Sequence, residues 1–293
     1  MPAQNGTRPL VAVAQYEPSL GDVTGNLAAS IAQIRIAAEH SAAVVVLPEC
    51  CLTGYEFEDR AALALLAESV TGVATQSWAN AAATHNMYIV AGMVEKHDGI
   101  LYDSAVIVSP RGEIHTYRKW HLWGLERALY QAGDALVHCD TPWGRLGVMI
   151  CYDLWFPEMA RALALAGCTL LAVPSNWAVN ARLKNPFDEH GLPLGYHMAV
   201  AAACSNEMVV VVSDRIGRDR TLSFLGNSCV IGPAGRPLTH RAAADTSEML
   251  LAEWPDVEAI RAIGQSHLAS RRSDLYGNPR TSTQYPVGRE HEK

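Results

Sequence analysis

Four stretches of the chain are apolar without alternation: Val44-Val45-Val46-Leu47, Gly147-Val148-Met149-Ile150, Leu170-Leu171-Ala172-Val173 and Val209-Val210-Val211-Val212. A strand with one face in water alternates apolar and polar side chains, whereas a strand covered on both faces does not. These runs therefore demand layers on both sides of a sheet. Alanine-rich stretches between them supply the cover. The pattern predicts strands at Leu10–Gln15, Val44–Leu47, Met87–Met93, Ala105–Val108, Leu146–Ile150, Leu170–Val173, Val209–Ser213, Cys229–Ile231 and Met249–Ala252. It predicts helices at Asn26–His40, Val73–His85, Pro157–Ala166, Leu194–Ser205 and Pro255–Leu268. The class is α/β.

Two segments echo each other. Ser104-Ala-Val-Ile-Val-Ser-Pro-Arg-Gly112 and Ser228-Cys-Val-Ile-Gly-Pro-Ala-Gly235 each join a strand to a Pro/Gly turn, and each leads into a second extended arm, Glu113–Tyr117 and Pro237–His240. Both read as hairpins, one in each half, as expected of a pseudo-symmetric pair of sheets. No low-complexity linker divides the 293 residues, so a single domain is expected, with about 271–293 as a polar C-terminal tail.

Bulk properties exclude several roles. A formal charge of −7 without a Lys/Arg run argues against a nucleic-acid or anionic-membrane surface. No basic-then-apolar leader opens the chain, and the longest apolar stretch is too short to span a bilayer; a cytoplasmic location is expected. Seven cysteines, an odd number without a CxxC pair, fit a reducing compartment better than a disulfide framework. The eleven histidines form no cluster at metal-ligand spacing, so no metal is expected.

Three places set a reactive group at the end of a predicted strand. Glu49 follows the first apolar run and Pro48. A carboxylate there is either paired or used in chemistry, or it opens a solvated loop. Lys119 follows the second arm of the first hairpin, among Trp120, His121 and Trp123; its ammonium either snorkels to water or stands as a fixed cation in a pocket. Glu126, seven residues on at the start of a short helical stretch, is its natural partner. Cys151 stands between strand and helix. It is either a small buried hydrophobe or a thiol near a helix N-terminus, with Asp153 and Glu158 opposing its ionisation.

Taken in order, LPExxLTGY (47–55), YRKxHL (117–122) and CYDxxFPE (151–158) resemble the three catalytic motifs of the nitrilase superfamily of carbon–nitrogen hydrolases. Glu126 falls where that family carries a second glutamate. PSNW (174–177), DRIG (214–217) and FLGNSCVIGPAG (224–235) match its later landmarks, so the resemblance runs from about Leu10 to Tyr276.

The resemblance implies a four-layer αββα sandwich, association into a homodimer or higher homo-oligomer through a helical face, and a Glu49–Lys119–Cys151 triad assisted by Glu126. Cys151 would form a thioester with the acyl group of a small-molecule amide, Glu49 would carry protons and Lys119 would stabilise the oxyanion, with no cofactor. Nitrilases commonly carry Trp-Glu where this chain has Tyr152-Asp153, which favours an amide over a nitrile. Related amidases often carry arginine where this chain has Trp155, which disfavours a carboxylate-bearing substrate. Tyr55, Trp123, Tyr152, Trp155 and Trp177, with Asn176, are the expected substrate-binding residues. Nitrile or N-carbamoyl hydrolysis on the same triad, or a non-catalytic ligand-binding protein, are the alternatives.

Overall fold

The computed structural model describes residues 8–179, 186–264 and 266–276. The first half runs β1 (Leu10–Gln15), α1 (Val23–Glu39), β2 (Ala42–Val46), α2 (Arg60–Ala64), α3 (Val73–His85), β3 (Tyr88–His97), β4 (Ile100–Val108) and β5 (Ile114–Arg118). A short α4 (Glu126–Leu129) leads into the second half: β6 (Val137–Thr141), β7 (Gly144–Val148), a 3-10 turn over Cys151–Trp155, α5 (Pro157–Leu165) and β8 (Cys168–Ser175). The ribbon strand β9 (Ala178–Val179), α6 (Leu194–Asn206), β10 (Val209–Asp214), the ribbon's other strand β11 (Ser223–Phe224) and β12 (Cys229–Ile231) follow. The described chain closes with β13 (Glu248–Glu253), α7 (Val257–Ile263) and α8 (Ser273–Tyr276). Among the described residues no helix is long and apolar enough to cross a membrane.

Two large sheets form, ordered β13-β1-β2-β3-β4-β5 and β12-β10-β8-β7-β6, beside the two-stranded β11-β9 ribbon. In each large sheet, three parallel strands (β1, β2, β3 and β7, β8, β10) are joined by helical crossovers and flanked by antiparallel neighbours. The halves thus repeat one topology, as the doubled hairpins predict. The sheets face each other, β1 against β10 and β2 and β3 against β8, with α5 and α6 outside the second sheet. Strand alternation explains the unbroken apolar runs. Val11, Val13, Val44, Val46 and Val90 point into the core shared with the second sheet. Their neighbours Ala12, Ala14, Val45, Leu47 and Ile89 pack under Ile34 and Ala37 of α1 and Trp78 of α3. Helix, sheet, sheet and helix make the αββα sandwich.

The departures are local. β6 is absent from the predicted strands because Val137-His-Cys-Asp-Thr141 mixes polar residues into its exposed edge position. The second hairpin has one short arm: Pro237 makes a single bridge to Ile231, and Pro237–His240 is not a strand. The helix expected over Pro255–Leu268 is α7, which stops at Ile263, before Gly264. β7 ends at Val148; Met149 N–H still donates to Ala172 O of β8 (3.1 Å), Ile150 N–H turns to Asp153 Oδ2, and Cys151 opens a 3-10 turn instead of adjoining α5. Of the predicted tail, 277–293 lies outside the described residues.

One close approach positions the loop after β2. Cys51 N–H donates to Gly92 O (3.1 Å) and Gly92 N–H to Pro48 O (3.2 Å), so the chain carrying Glu49 lies flat against β3. A Cβ at Gly92 would stand 2.5 Å from Glu49 Cα and 2.7 Å from Pro48 O, both unyielding backbone. Gly92→Ala is therefore expected to cost about 1–3 kcal/mol of stability by overpacking, with the carboxylate of Glu49 displaced. Chemical denaturation and hydrolytic activity measured on the same sample check this.

Candidate active site

The candidate residues emerge just past the carboxyl ends of strands, where open α/β sheets keep their clefts. Glu49 leaves β2, Lys119 leaves β5, Cys151 follows β7, and Asn176 and Trp177 follow β8. The first two come from one sheet and the others from its partner.

Lys119 is fully buried. Its Nζ stands 2.6 Å from Glu49 Oε1, 2.8 Å from Glu126 Oε1 and 3.1 Å from Asp103 Oδ2. The ammonium is thus a fixed cation and does not snorkel to water. Its main chain is held too: Lys119 N–H donates to Asp103 O (2.8 Å) and Gly133 N–H to Lys119 O (2.9 Å). Glu126 is gripped on both oxygens. Oε1 accepts from Lys119 and from the Tyr55 hydroxyl (2.5 Å), and Oε2 accepts from Trp123 N–H (2.8 Å). Glu49 Oε2, by contrast, is buried without a hydrogen-bond partner. The three carboxylates have oxygens within 4.8 Å of one another, a spacing that would also suit a metal ion. Here the cation at their centre is the ammonium.

Three carboxylates around one ammonium leave excess negative charge in a dry interior, and proton affinities respond. Burial raises Glu49 well above the ordinary carboxylate range; Lys119 opposes that, while Asp103 and Glu126 reinforce it. Burial raises Glu126 as well, against Lys119. For Lys119 burial favours the neutral amine, but Glu126, Glu49 and Asp103 outweigh it and hold the ammonium well above its usual range. The Cys151 thiol is pushed well up by burial and by Glu49, with Lys119 and the backbone of Asn176 pulling it down.

Cys151 is half-buried with φ of +43°, a left-handed conformation that a non-glycine residue adopts only when its surroundings impose it. Asp153 imposes it. Its Oδ2 accepts from Ile150 N–H (3.0 Å) and the Tyr117 hydroxyl (2.6 Å), and its Oδ1 accepts from His121 N–H (2.9 Å). Asp153 is therefore a staple between the cysteine turn and the Lys119 segment. The carboxylates that oppose thiol ionisation are Glu49, just after β2, and Glu126, on α4, rather than Asp153 and exposed Glu158 as the sequence suggested.

A cavity of about 250 Å³ opens over the sulfur. Tyr55, Trp123, Tyr152, Trp155, Asn176 and Trp177 all line it beside Cys151, as do Leu194, Gly195 and Leu225. The Asn176 carboxamide is buried with neither polar atom paired. Trp177 is fixed by its N–H to Asp214 Oδ1 (2.9 Å) and by packing on α6; a Cβ at Gly195 would meet its ring at 2.3 Å. Tyr55 is placed by the buried Arg215–Asp219 pair (3.1 Å), whose carboxylate accepts from Tyr55 N–H (2.8 Å) and Glu56 N–H (3.0 Å).

Sequence reasoning did not single out Asp103, Asp219 or Gly92. The signal for Asp103 was present, an acid inside the apolar strand Ile100–Val108. For Asp219 and Gly92 the reason lies in tertiary contacts alone.

Comparison with known proteins identifies the chain's relatives. The family model for carbon–nitrogen hydrolases matches residues 10–262. The chain is 36% identical over 253 residues to a nitrilase of Pyrococcus abyssi, covering 86% of this chain and 91% of the relative. It is 31% identical over 270 residues to an (R)-stereoselective amidase of Pseudomonas sp., covering 92% of each. Among solved structures it resembles a mutant of the amidase from Nesterenkonia sp. AN1, with the acetamide moiety of fluoroacetamide covalently added at the active-site cysteine. The TM-score is 0.76 at 25% identity, over 94% of this chain and 98% of that one. On this evidence the chain belongs to the carbon–nitrogen hydrolase family, within the nitrilase superfamily.

Proposed function

We propose that the protein hydrolyses the C–N bond of a small uncharged amide through a thioester on Cys151. One observation carries the reading: an ammonium held at 2.6–3.1 Å by three buried carboxylates, in the same site as a thiol that lines a largely apolar cavity. Cys151 Sγ attacks the amide carbon as its proton passes to Glu49. A thiol of raised proton affinity needs a base raised in step, and burial supplies that at Glu49. The Lys119 ammonium and the backbone N–H after Cys151 receive the tetrahedral oxyanion; losing one such donor typically costs about 3–4 kcal/mol of barrier. Glu49 then gives its proton to the departing nitrogen and withdraws one from the water that cleaves the thioester. Glu126 orients Lys119 and faces the same reacting groups.

The described residues lining the cavity carry aromatic, aliphatic and amide side chains and no charged group, which favours a neutral aliphatic or arylalkyl acyl group. The amidases among the relatives support the choice of an amide. Nitrile hydrolysis is the second reading, favoured by the Pyrococcus abyssi relative.

Purified protein is expected to release ammonia from at least one member of a panel of simple amides, and Cys151→Ala to abolish the release while the unfolding transition persists. Intact-mass spectrometry should find an acyl adduct on Cys151, whose mass identifies the acyl group. Acid formed from nitriles but not from amides would select the second reading. Full activity in Cys151→Ala would refute both.

The protonation scheme also predicts a stability profile. Glu49 binds its proton more tightly folded than unfolded, so its contribution is complete below the ordinary carboxylate range and lost as pH rises through the folded value. The raised Lys119 loses its contribution only in alkali beyond the ordinary lysine range. Unfolding free energy should therefore decline from mildly acidic to mildly alkaline buffer, and Glu49→Gln should flatten that slope. Equal slopes in the two proteins, by denaturant titration, would contradict a raised Glu49.

A further inference from the structure

We propose that Gly195 is a specificity-determining position, which acts through Trp177 to keep the cavity over Cys151 wide enough for an arylalkyl acyl group. The proposal rests on the reading of Cys151 as the residue that an amide acylates, and narrows the acyl group it takes. Gly195 is buried in the first turn of α6 and lines the cavity together with Trp177. Its backbone does not call for glycine, since its φ lies outside the left-handed region. Glycine also destabilises a helix relative to alanine, and Ala199, Ala201, Ala202 and Ala203 show that alanine suits α6. The reason for a glycine must therefore be what lies against it.

That neighbour is the Trp177 indole. A Cβ at Gly195 would stand 2.3 Å from its Cε2, 2.4 Å from Cζ2 and 2.7 Å from Cδ2. Three adjoining ring atoms at such similar distances set the flat of the indole, and not its edge, on Gly195. Carbon atoms in contact settle at about 3.5–4.0 Å, so a methyl group there must drive the ring back by about 1 Å. The main chain of Trp177 cannot follow. Its N–H is held by Asp214 Oδ1 (2.9 Å), and its carbonyl accepts from Leu225 N–H (2.8 Å). Elsewhere the ring meets packed core. The space left to it is the cavity, where Trp155 stands nearly perpendicular with 6.5 Å between ring centroids. The indole thus lies flat on α6 only because no side chain occupies position 195. A cavity of about 150 Å³ already takes a benzene ring. The cavity of about 250 Å³ over Cys151 has room for that ring and the methylene joining it to a carbonyl.

Methyl and benzyl methanethiosulfonate test this. Each passes its S-alkyl group to the Cys151 thiolate and releases methanesulfinate, and peptide mass separates Cys151 from half-buried Cys204. The ratio of the benzyl rate to the methyl rate reads the room for an arylalkyl group, because differences in thiol reactivity cancel. Gly195→Ala is expected to lower the ratio about ten-fold, the low end of what one misplaced carbon costs in an apolar pocket. A phenyl ring is smaller than an indole, so adding Trp177→Phe should restore most of the loss, as residues in direct contact do. The kcat/KM for phenylacetamide relative to acetamide should move in parallel. An unmoved ratio in folded Gly195→Ala overturns the proposal, and so does a loss that Trp177→Phe fails to restore. Should Gly195→Ala alone fail to fold, Trp177→Phe is compared with the double variant, in which the clash is relieved. A double variant that folds and keeps the ratio of Trp177→Phe is expected; one that fails to fold, or shows a lower ratio, overturns the proposal. The reagents need only a thiol, so failure to hydrolyse any amide would count against the proposed function and leave this ratio standing.

Discussion

The burial of one ammonium governs the architecture of the site. Carrying Lys119 out of water without partners would cost several kcal/mol, and an incompletely paired buried ion is typically about 3–5 kcal/mol worse than a complete pair. Three carboxylates answer that demand, and each must arrive from a different part of the chain. Glu49 comes on a segment pressed against Gly92, Asp103 across the β4–β5 ladder, and Glu126 on a single helical turn tied down by Tyr55 and Trp123. The answer overshoots, because three carboxylates exceed one ammonium in charge. Burial, and after it that surplus, pushes the proton affinity of Glu49 upward against the pull of Lys119. The dry surroundings that force Lys119 to gather partners also hold Glu49 above the ordinary carboxylate range.

A second tier of buried acids fixes backbone instead of chemistry. Asp153 ties the cysteine turn to the Lys119 segment, Asp214 holds the backbone of Trp177, and Asp219 holds the backbone of Tyr55 while pairing with Arg215. Each accepts main-chain N–H groups that the irregular loops would otherwise leave unsatisfied, and buried amides seldom go unpaired. Rigid loops at the strand ends follow from this. They let a strained conformation persist at Cys151.

Much of this was legible in the residues. Runs such as Val209–Val212 announced a sheet covered on both faces, and the three ordered motifs put Glu49, Lys119 and Cys151 on notice together when each alone had a blander reading. The motif-flanking aromatics did converge on one cavity. What stayed hidden depended on distance through space. Asp103 is one acid in a strand, and only the register of β4 against β5 sets it on Lys119. Asp153 read as a charge unfavourable to the thiol because sequence proximity stood in for contact; its oxygens are in fact taken up by Ile150, Tyr117 and His121. The strand at Val137–Thr141 escaped because an edge position tolerates His138 and Asp140, which blur the periodicity.

The two repeated halves share the labour unequally. One sheet carries the acid and the cation, and the other carries the sulfur and most of the wall around it. Neither layer holds the whole proposed set, so its members meet only across the seam. The valines filling that seam, Val11, Val13, Val44 and Val148 among them, therefore act as a spacer that gauges how far Glu49 stands from Cys151. A tightly packed interior transmits a change of one methylene instead of absorbing it. The alignment of the candidate reactive groups is thus written in the thickness of a greasy layer that does not line the cavity.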